Sequence, residues 1–362
     1  MDSQVSVGKA SPASLQRLAK LLRQSDSYLA LEQEIAHSGP KGVKIDRRKL
    51  RRIIDGQDVA LTFAQLELLG AYLAARHRRR LASLFECPSV LEELVTDSNL
   101  KVLLGSYPRN PEKRTDVSRW DTLAMHEVFV HINRMSGSLH LDFVDVPFQS
   151  PKRGGGAQEW RSALAGKGWY AHLGEDGPSV VSIGSQRACQ ATELMLAQMF
   201  GVTAFQRPTR SAPELPFYFI WNPDERAKLP SAFSRGPEEI RGLDPKLAEE
   251  IQHGKAWALQ IKQACYRLEL HVKQAQTYAI VAAQRQPCGQ IWLVIAGLSG
   301  PGTYAASKLL GAEDFAFPSA ATRGRSPVLW MAIEAPVSVK TIAGDDRVVH
   351  TPRKLIGPEI WP

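Results

Sequence analysis

Lys41, Lys44, Arg47, Arg48, Lys49, Arg51 and Arg52 crowd one stretch of this chain, KGVKIDRRKLRRIIDGQD from Lys41 to Asp58. Asp46 is placed to cap a helix running from Arg47 to about Asp55, and Gly56 to stop it. Leu50, Ile53 and Ile54 follow the i, i+3, i+4 pattern and make one apolar stripe. At about 100° per residue, Arg48 and Arg52 project directly away from that stripe, with Lys49 and Arg51 beside them. A guanidinium is a planar fork that fits the major-groove edge of guanine. The chemistry on offer is therefore recognition of duplex nucleic acid. Arg48 and Arg52 are the expected readers of base edges. Lys41, Lys44, Arg47 and Arg51 are expected on phosphates, contacts that position a protein without specifying sequence.

A second kind of chemistry gathers where apolar runs of strand length end in Gly. Lys101–Leu104 runs into Gly105-Ser106, and Ser179–Ile183 into Gly184-Ser185-Gln186-Arg187. Ile291–Ala296 runs into Gly297-Leu298-Ser299-Gly300-Pro301-Gly302-Thr303. Gly lets a backbone N–H approach an anion, Ser and Thr add hydroxyl donors, and a following helix adds its positive dipole end. Gly105, Ser106, Gly184, Ser185, Arg187, Gly297, Ser299, Gly300, Gly302 and Thr303 are thus the expected contacts to a small anionic ligand, a nucleotide or a nucleotide-derived molecule. No loop carries GxGxxG or the Gly-Lys-Ser/Thr end of a P-loop, and no resident cofactor is expected.

Candidates for bond-breaking chemistry are thinner. Glu193, at the start of the helix after Gly184-Ser185, stands where a carboxylate could act on a glycosidic bond, or simply favour the helix dipole. Asp116, Asp121 and Glu127 flank the first loop and are able to complete an acid pair. His126 and His131 are five apart and do not share a helix face as a metal pair would. His140 and Asp142 alternate on a strand. Cys189 has no His partner that the sequence can place and is read as a packing residue. Trp120, Trp160, Trp169 and Trp221 are read as core or loop anchors.

At 362 residues the chain has room for two domains with cores of their own. Its net charge of +8 is uneven. Between Lys41 and Arg80 there are eleven Lys or Arg against four acids, a balance of +7, so the rest is nearly neutral. Such a patch is the footprint of a polyanionic partner. No apolar run reaches the ~18 residues of a membrane span, and the first twenty residues lack an apolar signal core. Cys87, Cys189, Cys265 and Cys288 are far apart, which suits reduced thiols in a cytoplasm rather than zinc or disulfides.

The elements that must position these residues fall into two groups. Residues 1–13 read as a loose tail. Ser14 caps a first helix, Ser25-Asp26-Ser27 a second with Tyr28, Leu31 and Ile35 inward, and Thr62 a fourth with Phe63, Leu66, Leu69 and Leu73. That helix ends in Arg76-His77-Arg78-Arg79-Arg80, and a short fifth lies around Val90–Val95. Helices of this length, with the third basic and ended by Gly56, resemble the Cro/phage-repressor type of helix-turn-helix domain. The likeness rests on Leu18-Ala19, on Leu31, Ile35 and Ala36, on Arg52 to Gly56, and on Leu66 to Leu73. It implies a third helix in the major groove and dimers on paired half-sites. Here Ser38 to Ile45 separate the second and third helices, where that family has a turn of a few residues.

From Leu100 onward strands alternate with helices and Gly/Ser loops, which predicts a doubly wound, mostly parallel sheet. Residues 97–362 would form this domain, with a polar helical insertion at about 223–263, and 1–96 an all-α domain. In outline the larger part resembles Rossmann-like nucleotide-sensing domains of bacterial signalling and defence proteins. The combined expectation is a cytoplasmic DNA-binding regulator, dimeric, whose second domain senses a small anionic ligand. One alternative is a nucleotide or NAD glycohydrolase delivered to nucleic acid by the helical domain. Another is a nucleic-acid-binding scaffold whose α/β domain docks a protein.

Overall fold

A computed structural model describes residues 4–6, 22, 28–38, 43–55, 57, 59–77, 90–91, 94, 100–109, 114–136, 141–149, 156–174, 177–207, 214–270, 272–287, 289–310, 326–339 and 347–361. The chain divides into two compact units, the first of Met1–Ser98, Val130–Leu139 and Ala316–Ser319, the second of the remainder.

In the first unit the described elements are β1 (Gln4–Ser6), α1 (Tyr28–His37), α2 (Arg47–Ile54), β2 (Ala60–Thr62) and α3 (Phe63–His77). Leu31 and Ile35 of α1, Leu50, Ile53 and Ile54 of α2, and Leu68, Leu69, Tyr72 and Leu73 of α3 share one core. Thr62 starts α3 by a reciprocal pair: its hydroxyl accepts from Gln65 N at 3.3 Å, and Gln65 Oε1 accepts from Thr62 N at 3.2 Å. The expected all-α bundle is corrected here. Gln4–Ser6 pairs antiparallel with Ala60–Thr62, so a two-stranded sheet closes the unit. Three-residue strands are too short to show a period, and these two lie far apart in sequence. The Ser14 helix, Gly56 and Arg78 to Arg80 lie outside the described residues.

The second unit continues with β3 (Leu100–Arg109), β4 (Arg114–Val117), α4 (Arg119–Ser136, of which Val130 onward belongs to the first unit), β5 (Leu141–Pro147), α5 (Ala157–Ala165), β6 (Val180–Ile183) and α6 (Gln190–Phe200). Then follow β7 (Phe217–Ile220), α7 (Pro223–Lys228), β8 (Ser234–Arg235), α8 (Pro245–Gln252), β9 (Ala256–Ile261), β10 (Ala264–Glu269) and β11 (Gln274–Arg285). The last elements are β12 (Ile291–Gly297), α9 (Gly300–Leu310), β13 (Val328–Val339), β14 (Arg347–Val349) and β15 (Arg353–Trp361).

Nine strands form the main sheet, and its composition corrects the doubly wound, mostly parallel expectation. Three pairings are parallel, β12 with β6, β6 with β3, and β3 with β5. Five are antiparallel, those of β11 with β12 and β13, of β13 with β14 and β15, and of β3 with β4. The reason is partly one of length. Only Gln286 to Gln290 separate β11 from β12, too few for a crossover helix, so the two must fold back as a hairpin. A second sheet, ordered β10-β9-β7-β8, takes β8 and β9 from residues 223–263, which also hold α7 and α8.

Packing on the main sheet is two-sided. Trp160 and Leu164 of α5, the apolar residues of α6, and Trp330 and Ala332 of β13 belong to one core cluster. Trp120 of α4, Ala305 of α9, and Ala335 and Val337 of β13 belong to another. Parity along β13 puts these clusters on opposite faces. Inside the first, Glu193 is fully buried and accepts from Phe205 N at 3.0 Å, Ala232 N at 2.9 Å and Ser231 Oγ at 2.6 Å. The residue weighed above as an acid for glycosidic chemistry therefore clamps two loops to α6. Glu193→Ala should strand three buried donors and lower stability by roughly 3 kcal/mol or more, read as a fall in the urea midpoint with the urea dependence unchanged.

Candidate functional site

The basic helix forms as the sequence implies. Asp46 caps α2 by accepting from Lys49 N at 2.9 Å, and Leu50, Ile53 and Ile54 are buried beneath it. Lys44, Arg47, Arg48, Arg51 and Arg52 are exposed. Arg47 Nε bonds Glu32 Oε2 at 2.8 Å, which ties α2 to α1. Arg51 lies 3.8 Å from Asp55 of its own helix end. Lys49 is held by Gln65 Oε1 at 3.0 Å, and the amide nitrogen of Gln65 also bonds Lys44 O at 2.7 Å. Arg48 makes no hydrogen bond or ion pair with any described residue. Lys41 lies outside the described residues. The first turn of α2 holds no acid. Arg47, Arg48 and Lys49 instead face the positive end of their own helix dipole, each at a cost of about 0.3–1 kcal/mol. A polyanion laid along this face would relieve that repulsion.

In the α/β unit the parallel strands run in the order β5-β3-β6-β12. The chain leaves β3 through α4 to reach β5, then returns through α5 to β6 on the other side. The order reverses between β3 and β6, the kind of place at which open α/β sheets hold ligands. Two of the three sequence-predicted loops meet there. Gly105 is packed so closely on the second loop that a Cβ would lie 1.7 Å from Ala188 O. Gly184 has φ +111°, and a Cβ on it would lie 3.4 Å from Asp121 Oδ2.

Asp121 comes from the first turn of α4 and is only 2 % exposed. Its carboxylate makes no hydrogen bond or ion pair among the described residues. Burial alone pushes its pKa up from 3.8 to about 7. What plants it there is Trp120, whose side chain leaves no room on Gly300, where a Cβ would stand 2.7 Å away. Ser106 Oγ and both amide atoms of Gln186 are buried without a partner. Alternation along β3 turns Ser106 away from the side on which Gly105 meets Ala188, toward the face that carries α4. Leaving such groups unpaired costs about 1–3 kcal/mol each.

The rim is built differently. Tyr107 donates its hydroxyl to Arg187 O at 2.8 Å, and desolvation pushes it up to about 12 against the pull of Arg187, so it stays protonated. Arg187 pairs with Glu225 and lies over the rings of Trp221 at 4.9 Å and Trp257 at 5.0 Å. The guanidinium predicted to meet an anion is thus occupied within the protein. Cys189 is buried, and burial raises its thiol, which suits packing rather than nucleophilic attack. Thr192 Oγ1 donates to Gly184 O at 2.8 Å and fixes the turn from the α6 side.

The third loop is tied to itself and to β11. Thr303 Oγ1 accepts from Gly297 N at 3.1 Å, and Ser299 Oγ pairs with Thr277 Oγ1 at 2.7 Å. A Cβ on Gly297 would meet Thr303 N at 2.2 Å, and one on Gly302 would meet Tyr278 O at 2.5 Å. Gly297, Gly300 and Gly302 serve close packing of α9 and α4. Of the other acids, Asp116 is exposed on β4, Glu127 accepts from Tyr304 OH at 3.3 Å, and Asp142 pairs with Lys101. Among the described residues no three His, Cys, Asp or Glu gather as a metal site. Nor is any helix there long and apolar enough to cross a membrane.

Gln186 was missed by the sequence reading, which saw it only as one residue of a Gly/Ser loop. Its signal was weak, since polar residues are ordinary in turns. No family model, no curated protein and no solved structure matches this chain.

Asp121 makes stability depend on pH in a definite direction. Between 3.8 and about 7 the folded chain keeps a proton that the unfolded chain has released. This contribution is therefore full below the lower value and is lost as pH rises through the upper one. Asp121→Asn should leave stability nearly unchanged at about pH 4 and raise it by up to about 4 kcal/mol at about pH 8, measured by urea unfolding across that range.

Proposed function

We propose that this chain is a DNA-binding regulator. The outer face of α2 contacts duplex DNA, and the α/β unit takes a small nucleotide-like ligand where strand order reverses between β3 and β6. The observation that carries the first part is Arg48, exposed and unengaged among the described residues on a helix whose other side is fully buried. Lys44, Arg47 and Arg51 flank it as phosphate contacts, and Arg52 joins it as a reader of base edges. The second part is supported by the unpaired polar groups at the switch of strand order. The protein acts in the cytoplasm, as a dimer on paired half-sites. Ligand binding changes DNA affinity to the extent that it favours one arrangement of the paired DNA-binding units.

One observation favours a second reading, a nucleotide or NAD glycohydrolase. Asp121, buried beside Gly184 and poised near neutral pH, has the properties of an acid–base group. Release of free base from NAD or nucleosides, absent in Asp121→Asn, would select it over regulation by binding alone.

Arg48→Glu separates recognition from folding. It should weaken binding to a selected duplex by about 1–3 kcal/mol or more, measured by fluorescence anisotropy. The same change should leave the melting temperature level or raise it, because an acid in the first turn suits the helix dipole. Unchanged duplex affinity would remove α2 as the reading face.

A further inference from the structure

A cavity of about 70 Å³ lies where β10, β11, β13, β14 and the start of α9 come together. Its walls are apolar: Leu268, Leu270 and Val272 on the side of β10, Val337 and Val339 on β13, and Pro301 on α9. The sheet register explains the second wall. Val339 pairs with Arg347 and Val337 with Ala275, so alternation sets all four on one face of the main sheet. A wider groove of about 610 Å³ adjoins the cavity through Glu269, Ala275 and Val337 and gives a way in. The hydroxyls of Thr277 and Ser299, also in the lining, answer each other at 2.7 Å.

Two opposite charges line this cavity without meeting, Glu269 on β10 and Arg347 on β14. The guanidinium of Arg347 makes no hydrogen bond or ion pair with any described residue. Glu269 has only a share in another cation, since Arg267 Nη2 lies 2.8 Å from Glu269 and 2.8 Å from Glu250. One cation is thus divided between two acids, while a second cation faces the same space with no acid.

Each class of ligand meets these charges differently. A monocarboxylate would satisfy Arg347 but add a third negative charge to Glu269 and Glu250. A simple amine would satisfy Glu269 and leave the guanidinium unanswered. A zwitterion answers both at once, its carboxylate on the guanidinium fork and its ammonium on the acid. The walls set the rest. A polar side chain would lose its hydration against them with nothing in exchange. Benzene fits a cavity of about 150 Å³, so about half that volume holds an aliphatic group of roughly three or four carbons and excludes a ring.

We propose that this cavity binds a free aliphatic L-amino acid of the valine or leucine type, with Arg347 taking its carboxylate, Glu269 its ammonium, and the apolar walls its side chain. None of these residues belongs to the β3/β6 reversal, so this site and the one proposed there stand or fall independently.

The test is isothermal titration of the full chain with L-valine, L-leucine, L-phenylalanine and L-aspartate. Isobutylamine and isovalerate, which are valine without its carboxylate and without its ammonium, complete the series. Valine or leucine should bind, and each one-charge analogue should bind at least about tenfold more weakly than valine. Arg347→Gln and Glu269→Gln should each weaken valine binding by a similar factor. Arg347→Gln should also erase the preference for valine over isobutylamine, and Glu269→Gln that over isovalerate, whereas loss of a merely structural contact would weaken all ligands alike. Both side chains belong to partly exposed residues, so either variant should melt close to the parent chain. Should one fail to fold, the analogue series on the parent chain still decides. Either analogue binding as tightly as valine, phenylalanine or aspartate bound in preference, or a folded variant with undiminished affinity or unchanged preferences would each overturn the proposal. So would the absence of valine and leucine binding up to about 10 mM.

Discussion

The contact of Trp120 with Gly300 governs the α/β unit's chemistry. An indole needs a flat, open surface, and a glycine at the start of α9 supplies it where any Cβ would collide. Docking the indole fixes the first turn of α4 on the sheet. The next residue, Asp121, is then carried against Gly184 at the end of β6 regardless of the cost of removing its carboxylate from water. A packing interaction thus sustains a polar one that would not persist by itself. The glycines of the other two loops act to the same end: Gly105 admits the backbone of the β6 turn, and Gly184 adopts the positive φ that turns it toward Asp121.

The first unit obeys the opposite logic. There the apolar side of α2 is fully satisfied and its polar side is electrostatically frustrated, with cations where a stable helix prefers acids. Strain of this sort is tolerated only because Leu50, Ile53 and Ile54 secure the helix from below. In both units, then, ordinary packing holds in place a local arrangement that is unfavourable in isolation, and both proposed contacts are placed at those arrangements.

What could be read beforehand depended on how local the cause was. The cap at Asp46 and the stripe of α2 lie within nine residues, and sequence alone located them. The hairpin of β11 and β12 was not read, although only Gln286 to Gln290 separate the two strands, because alternation with helices elsewhere suggested parallel crossovers. β15 was hidden by Pro358 within it, since proline is uncommon inside strands. Asp121 was recognisable as an acid near a loop, but its burial depends on Gly300, nearly 180 residues away. Glu193 drew notice as a first-turn acid; its three partners come from Phe205 and the Ser231–Ala232 segment, and no spacing rule connects them.

Arg187 carries a further consequence. Its main chain receives Tyr107 from the main sheet while its guanidinium is gripped by an acid and two indoles contributed by, or adjoining, the second sheet. The residue works as a strut across the rim, so the turn that bears Gln186 is immobilised in advance of any visitor. A guest would forfeit little conformational entropy in ordering it, and modest enthalpy would suffice for selective capture.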